Sequence, residues 1–179
     1  MRHRAYCRLA LLAACVAAGT LPGCASYRVG AGTLYAPDVQ TVYVPMIESD
    51  SFRRDLGERL TESVVKEIEL KTPFKVVSTP TADSVLSVRL LDDTRRVLAE
   101  DPFDQPRVLE NQLFAEVAWV NRRRAPLMPV QTIAIPGGVV PFRQDSKLIP
   151  ASGQSIASSQ QKAIEQLAQQ IVGSLEEPW

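Results

Sequence analysis

Residues 85–91 (VLSVRLL) and 112–120 (QLFAEVAWV), joined through a turn marked by Pro102, Asp104, Gln105 and Pro106, decide the fold of this chain. In the second stretch Leu113, Ala115, Val117 and Trp119 alternate with Phe114, Glu116, Ala118 and Val120, which is the two-residue period of a strand. In the first, Val85, Ser87, Arg89 and Leu91 alternate with Leu86, Val88 and Leu90, and the pattern runs on toward Leu98. Both of its faces begin apolar, which places this strand centrally in a sheet. Arg122-Arg123-Arg124-Ala125-Pro126 then breaks the pattern, and residues 130–135 (VQTIAI) read as a further strand. Strands that follow one another through short turns are antiparallel neighbours.

Reading outward, residues 41–47 (TVYVPMI) are apolar and β-branched and predict a first strand with Pro45 near its end. Ser49-Asp50-Ser51 offers capping side chains. Phe52, Leu56, Leu60, Val64, Val65 and Ile68 then fall at three- and four-residue spacing, one apolar stripe on a helix from about 52 to 71. Its other face carries Arg53, Asp55, Arg59, Glu62, Lys66 and Glu67 and reads as solvated, with Asp55–Arg59 and Glu62–Lys66 in the acid-first order. Thr72-Pro73 ends the helix. Residues 74–78 (FKVVS) read as a short strand and 79–83 as the turn after it; residues 136–153, rich in Gly, Pro and Ser, read as a long loop. Ser155 or Ser158 caps a last helix, with Ile164, Leu167, Ile171 and Leu175 as its stripe and Ser159, Gln160, Gln161, Gln166, Gln169 and Gln170 as a neutral surface face. One sheet and two amphipathic helices predict an α+β fold, a two-layer sandwich of mostly antiparallel sheet with both helices on one face.

The amino terminus carries a different signal. Arg2, Arg4 and Arg8 precede an apolar run over residues 9–18, the length of a secretory h-region and too short to span a bilayer. The run leads to Leu21-Pro22-Gly23-Cys24, which reads as a bacterial lipobox: residues 1–23 a cleaved signal peptide, Cys24 the acylated residue, 24–40 a lipidated tether and 41–179 one domain. Cys7 and Cys15 leave with the signal, so acylation of Cys24 removes the last free thiol. The signal also takes three arginines, leaving 17 basic against 20 acidic residues, a balance that argues against nucleic-acid binding. His3, the single histidine, goes too, which removes Ser-His-Asp and Cys-His catalysis and the common zinc sites. Gly137-Gly138 is followed by Val-Val-Pro rather than a helix start, so it is no phosphate loop. Asp92-Asp93 and Glu176-Glu177 are the adjacent acids, and on a regular strand Asp92 and Asp93 point to opposite faces. The expectation is of no enzyme, no cofactor beyond the covalent lipid and no metal.

Taken together the chain resembles the lipopolysaccharide-assembly lipoprotein family, LptE. The resemblance is carried by the lipobox, by Tyr27-Arg28-Val29-Gly30, by Thr41-Val42-Tyr43-Val44-Pro45, by Phe52-Arg53-Arg54-Asp55-Leu56 with Leu60-Thr61-Glu62, and by Ala82-Asp83-Ser84-Val85-Leu86. It covers most of residues 24–175, although Ala25-Ser26 intervenes where the family often has glycine followed directly by an aromatic residue. The resemblance implies a non-enzymatic lipoprotein on the periplasmic face of the outer membrane, partnering a β-barrel of the LptD type and assisting lipopolysaccharide transport. Ala25, rather than an aspartate, after the cysteine agrees with outer-membrane sorting. The alternative is a lipid-anchored periplasmic scaffold of another envelope complex. For a ligand with phosphates beside acyl chains, antiparallel order brings Arg107, Arg143 and Lys147 to one end of the sheet, on loops, as candidate lipopolysaccharide contacts. Arg122-Arg123-Arg124 lies at the opposite end, either a polar turn or a surface for anionic headgroups.

Overall fold

The structure is a computed structural model that describes residues 34–53, 55–128 and 139–176. The expected signal peptide, Cys24, the tether up to residue 33 and the expected strand at 130–135 lie outside the described residues. The elements run β1 (Thr41–Tyr43), β2 (Glu48–Ser49), α1 (Asp55–Lys71), β3 (Lys75–Val77), β4 (Ser84–Glu100), β5 (Pro106–Asn121), β6 (Val140–Leu148) and α2 (Ile156–Gly173), with a single 3₁₀ turn at Pro150–Ser152 before α2. The sheet order is β3-β1-β4-β5-β6, with β2 also beside β4. The two long pairings are antiparallel: β4 with β5 from Ser84↔Asn121 to Glu100↔Pro106, and β5 with β6 from Leu109↔Leu148 to Val117↔Val140. The short pairings of β1 with β3, and of β1 and β2 with β4, are parallel. The fold is therefore the expected α+β sandwich, its sheet mostly antiparallel.

Alternation explains the core. Leu86, Val88 and Leu90 of β4, Leu113, Ala115, Val117 and Trp119 of β5, and Val140 and Phe142 of β6 are all buried. They meet Leu56, Leu60, Val64 and Ile68 of α1 and Ala163, Ile164, Leu167, Ala168, Ile171 and Val172 of α2. Each fully buried leucine or isoleucine contributes about 1.5–3 kcal/mol. Trp119 continues into an aromatic series, its ring 5.7 Å from Phe74, which stands edge-on to Tyr35 at 5.3 Å. The Tyr35 hydroxyl donates to the Lys71 carbonyl at the end of α1 and lies 3.4 Å from Glu176 beyond α2, tying the ends of both helices to the chain entering β1. Burial, with Glu176 beside it, raises the Tyr35 hydroxyl above its ordinary pKa.

Several elements depart from the sequence reading for physical reasons. The first strand stops at Tyr43 and resumes as β2, because Pro45 has no N–H to give a ladder. Helix α1 starts at Asp55, three residues late: Ser49 Oγ accepts the Ser51 N–H at 3.3 Å and Ser51 Oγ the Arg53 N–H at 3.4 Å, and these side-chain turns hold the backbone out of the helix. Phe52, assigned to the apolar stripe, is consequently 107% exposed. β5 begins at Pro106 rather than near 112, and β6 occupies residues expected to be loop. Before β6, the chain already pairs with β5 at Val120↔Pro126 and through Leu127 N–H to the Trp119 carbonyl at 2.8 Å. β6 itself begins at Val140, opposite Val117. Ser155 caps α2 with a reciprocal bond to Ser158, as its sequence suggests.

The surface reading of two residues on α2 also fails. Ser159 and Gln160 are buried and mark where the apolar core stops. Ser159 Oγ accepts from Asn111 Nδ2 at 2.7 Å and lies 3.3 Å from Ser146 Oγ, while Arg95 Nε donates to Asn111 Oδ1 at 2.9 Å. Beside them Asp93, its side chain 6% exposed, pairs with Arg53 at 3.3 Å and lies 3.4 Å from Gln160 Nε2. On α1, Arg59 joins Asp55 at 3.1 Å, as expected, but also reaches Gln161 of α2 at 2.6 Å, so this face is bridged rather than merely solvated.

Gly57 packs in the first turn of α1 where an added Cβ would press into the Ile47 carbonyl oxygen. Gly57→Ala should therefore destabilise the domain by about 1–3 kcal/mol, the cost of overpacking, against the usual helix gain of about 1 kcal/mol. Urea unfolding reads the sign directly. Burial, the largest influence on Asp93, outweighs Arg53 and Arg95 and raises its carboxyl pKa. A raised folded-state pKa means that ionisation weakens the native state, so this contribution is lost as pH rises from the unfolded through the folded value. Asp93→Asn should raise the urea midpoint at neutral pH, with the gap closing as pH falls below the ordinary carboxylate range.

Candidate functional site

Beyond the helices, β4 and β5 continue as a hairpin. From Leu91 to Glu100 almost every β4 side chain is exposed, and β2 stops pairing at Leu90. Ten residues of strand span roughly 33 Å. Register shifts at Leu91 and at Leu98 add residues to β4 against β5, re-aiming the side chains that follow. Leu91, Val97 and Leu98 are exposed, and Phe103 at the tip is 82% exposed. The tip is ordered by Asp101, whose Oδ1 accepts the N–H groups of Phe103 at 2.8 Å and Gln105 at 3.0 Å. The Gln105 N–H above all, then that of Phe103 and the Arg107 guanidinium, hold the Asp101 carboxyl below its usual pKa.

The sheet face turned away from the helices carries charge in rows set by register. Arg96, Glu110 and Lys147 lie side by side across β4, β5 and β6; so do Thr94, Gln112 and Asp145, and then Asp92, Phe114 and Arg143. Glu110 is buried beneath this layer, with Arg96 Nη2 at 2.7 Å and Gln112 Nε2 at 3.0 Å. The Arg143 guanidinium stands 5.5 Å from the centre of the Phe114 ring and pairs with Asp145 at 3.0 Å. A cation over an aromatic face at an exposed site contributes about 0.5–1 kcal/mol.

The predicted contact residues occupy these surfaces differently from expectation. Arg143 and Lys147 lie on strand β6, not on a loop. They share the open face about 13 Å apart. Arg107, the second residue of β5, lies at the tip, pairs with Asp101 at 2.8 Å and is the extra residue of a register shift between Pro106 and Val108, off the row that Lys147 occupies. The structure therefore brings Lys147 into a row with Arg96 and Glu110 and does not gather the three cations at one point. The row of Arg96 with Glu110, and Gln112 beside it, has no local signal: unbroken alternation of 85–91 would put Arg96 on the face of Leu86 and Leu90, and only the extra residue at Leu91 turns it to the open face. Cys24 lies outside the described residues.

The chemistry on offer is recognition by complementary charge and apolar contact. Asp92 aligns with Phe114 on the open face and Asp93 with Leu113 on the helix side, so the adjacent acids do not converge. Among the described residues no three His, Cys, Asp or Glu side chains could hold a metal ion, and no helix is long and apolar enough to cross a membrane.

Comparison with known proteins returns no match among curated sequences. Solved structures with a similar arrangement include uncharacterized lipoprotein B from Nitrosomonas europaea, 14% identical with a TM-score of 0.48 over 83% of this chain and 91% of that one. The rare lipoprotein B from Shewanella oneidensis is 19% identical, with a TM-score of 0.43 over 76% and 93%. A PelC dodecamer subunit from Paraburkholderia phytofirmans is 12% identical, with a TM-score of 0.46 over 78% and 91%. The family model described as "LptE: Lipopolysaccharide-assembly" matches residues 39–175. That span takes in every strand and both helices of the described residues, and the chain belongs to the LptE family of lipopolysaccharide-assembly proteins.

Proposed function

We propose that this protein is a lipoprotein of the outer membrane, acylated on Cys24 after loss of residues 1–23, that partners a β-barrel of the LptD type and assists the passage of lipopolysaccharide. The family match over residues 39–175 carries the reading. The lipobox at Leu21-Pro22-Gly23-Cys24 supports the anchor and, with it, a domain on the periplasmic face. The role is binding and assembly, not catalysis, and calls for no cofactor besides the covalent lipid.

The hairpin supports a large partner. Past Leu109 the β4–β5 pair stands without β6, and its free β4 edge with Val97, Leu98 and Phe103 exposed leaves apolar surface for another molecule to cover. Lipopolysaccharide joins phosphates to acyl chains. Lys147 and Arg143 on the open face, with Arg107 at the tip, supply the cations beside that apolar surface.

Two measurements test this. Natively lipidated protein purified from outer membranes should carry a stoichiometric large barrel protein, lost when Cys24→Ala mislocalises the chain. A preparation without a barrel would sink the partnership. Arg107→Glu combined with Lys147→Glu should weaken lipopolysaccharide binding by about tenfold or more, since hydrogen bonds to charged groups contribute about 1.5–3 kcal/mol each. Undiminished binding by the folded double variant rules these contacts out.

A further inference from the structure

We infer that the turn at residues 122–124 docks on the anionic phospholipid headgroups of the leaflet holding the lipid anchor, so that this end of the domain faces the membrane; the inference rests on the reading of Cys24 as the acylated residue. Topology brings the turn and the entering chain together. Val42 is in register with Ser84, and Ser84 with Asn121, so the start of β1 and the end of β5 share one end of the sheet. Asp83 fastens them. Its Oδ2 accepts the Thr41 hydroxyl at 2.8 Å and the Thr41 and Gln40 N–H groups at 3.0 and 3.3 Å. Its Oδ1 lies 3.4 Å from Arg122 Nη2, which also donates to the Thr81 carbonyl at 2.6 Å. Pro37, Asp38 and Val39 line one cleft of about 520 Å³ with Asn121, Arg122 and Arg123.

The turn is built to hold its side chains outward. Asn121 Oδ1 accepts the N–H groups of Arg123 and Ala125, each at 2.9 Å, and the Asn121 carbonyl accepts the Arg124 N–H at 2.8 Å. Arg124 sits at φ +61°, a left-handed conformation that glycine or asparagine adopts more easily. Arg122 is neutralised by Asp83, whereas Arg123 and Arg124 form no ion pair among the described residues. Lys75, exposed at the start of β3, adds a cation at the same end, against Asp38 in the cleft.

Charge and length select the membrane as the occupant. The far tip carries Glu100, Asp101 and Asp104 with Arg107 paired to Asp101, so of the two ends it is the turn, with Arg123 and Arg124, that suits a flat anionic surface. The ten residue steps from Cys24 to Leu34 reach at most about 36 Å. The 17 residues of β4 put the tip roughly 50 Å beyond the anchored end. A chain tethered that briefly keeps the arginine turn within reach of the headgroups.

The test uses the natively lipidated protein in vesicles of phosphatidylethanolamine and phosphatidylglycerol containing a headgroup-attached quencher. A fluorophore is placed on Thr79→Cys, beside the turn, or on Gln105→Cys, at the tip. The Thr79 label should be quenched several-fold more than the Gln105 label, and the difference should vanish in phosphatidylcholine vesicles. Arg123→Gln with Arg124→Gly spares the Arg122 contacts and suits the φ of residue 124. It should lower the ratio of docked to undocked protein by roughly an order of magnitude, at about fivefold per arginine near an anionic surface. Equal quenching of the two labels in floating vesicles, or a difference that survives the double variant, overturns the docking alone. A difference that needs a co-reconstituted barrel overturns it as well, in favour of a protein contact. A chain that fails to float and takes two labels, one of them on Cys24, overturns the anchor and the docking together.

Discussion

The β4–β5 ladder is the constraint on which the rest of the molecule hangs. Its register decides which residues face the helices: Leu86, Val88 and Leu90 with Trp119, Val117 and Ala115. A slip of one residue would exchange that apolar set for Arg89 and Glu116 and leave both helices without a surface to cover. The ladder is also far longer than the layer that covers it. One end is a sandwich and the other a ribbon that narrows to two strands past Leu109, and an extra residue at Leu91 turns the alternation of β4 over between them.

Between the two lies a band of polar groups rather than a gradual thinning of apolar ones. Asn111, Ser146 and Ser159 satisfy one another, while Asp93 reaches Arg53 and Gln160. Polar groups at such a depth impose a geometry, because leaving any one unsatisfied costs about 1–3 kcal/mol. The band therefore fixes how far α2 advances along the sheet. Its amino-terminal turn, capped by Ser155, is held where the ribbon begins. Asp93 carries a burial cost in this arrangement, so the band contributes position more than stability.

Much of this was legible in the sequence. The helix stripes, the alternation of residues 112–120, the Ser155 cap and the class of fold follow from period and capping chemistry alone. Other features depend on tertiary context. Phe52 has the right spacing for the α1 stripe, but serine side chains two residues apart capture the backbone first. Ser159 and Gln160 look like surface because nothing local reveals that β5 sends Asn111 to the first and β4 sends Asp93 to the second. Arg143 and Lys147, expected on loops at the turn end of the sheet, lie on a strand, and Arg143 sits opposite Phe114, midway along β5. A stretch with proline at 141 and alternating charges at 143, 145 and 147 reads as loop, yet it is the edge strand, where proline and outward charges are tolerated. Arg143 and Lys147 thus share one face of β6, while Arg107 stays at the tip with Asp101.

The aromatic series that ends at Tyr35 has a mechanical consequence. Tyr35 is held edge-on by Phe74 on one side and by the Lys71 carbonyl and Glu176 on the other, so the chain entering β1 is fastened to the ends of both helices. A pull applied through the residues ahead of Tyr35 therefore loads the helical layer and the sheet at once, instead of peeling the short β1 strand away first.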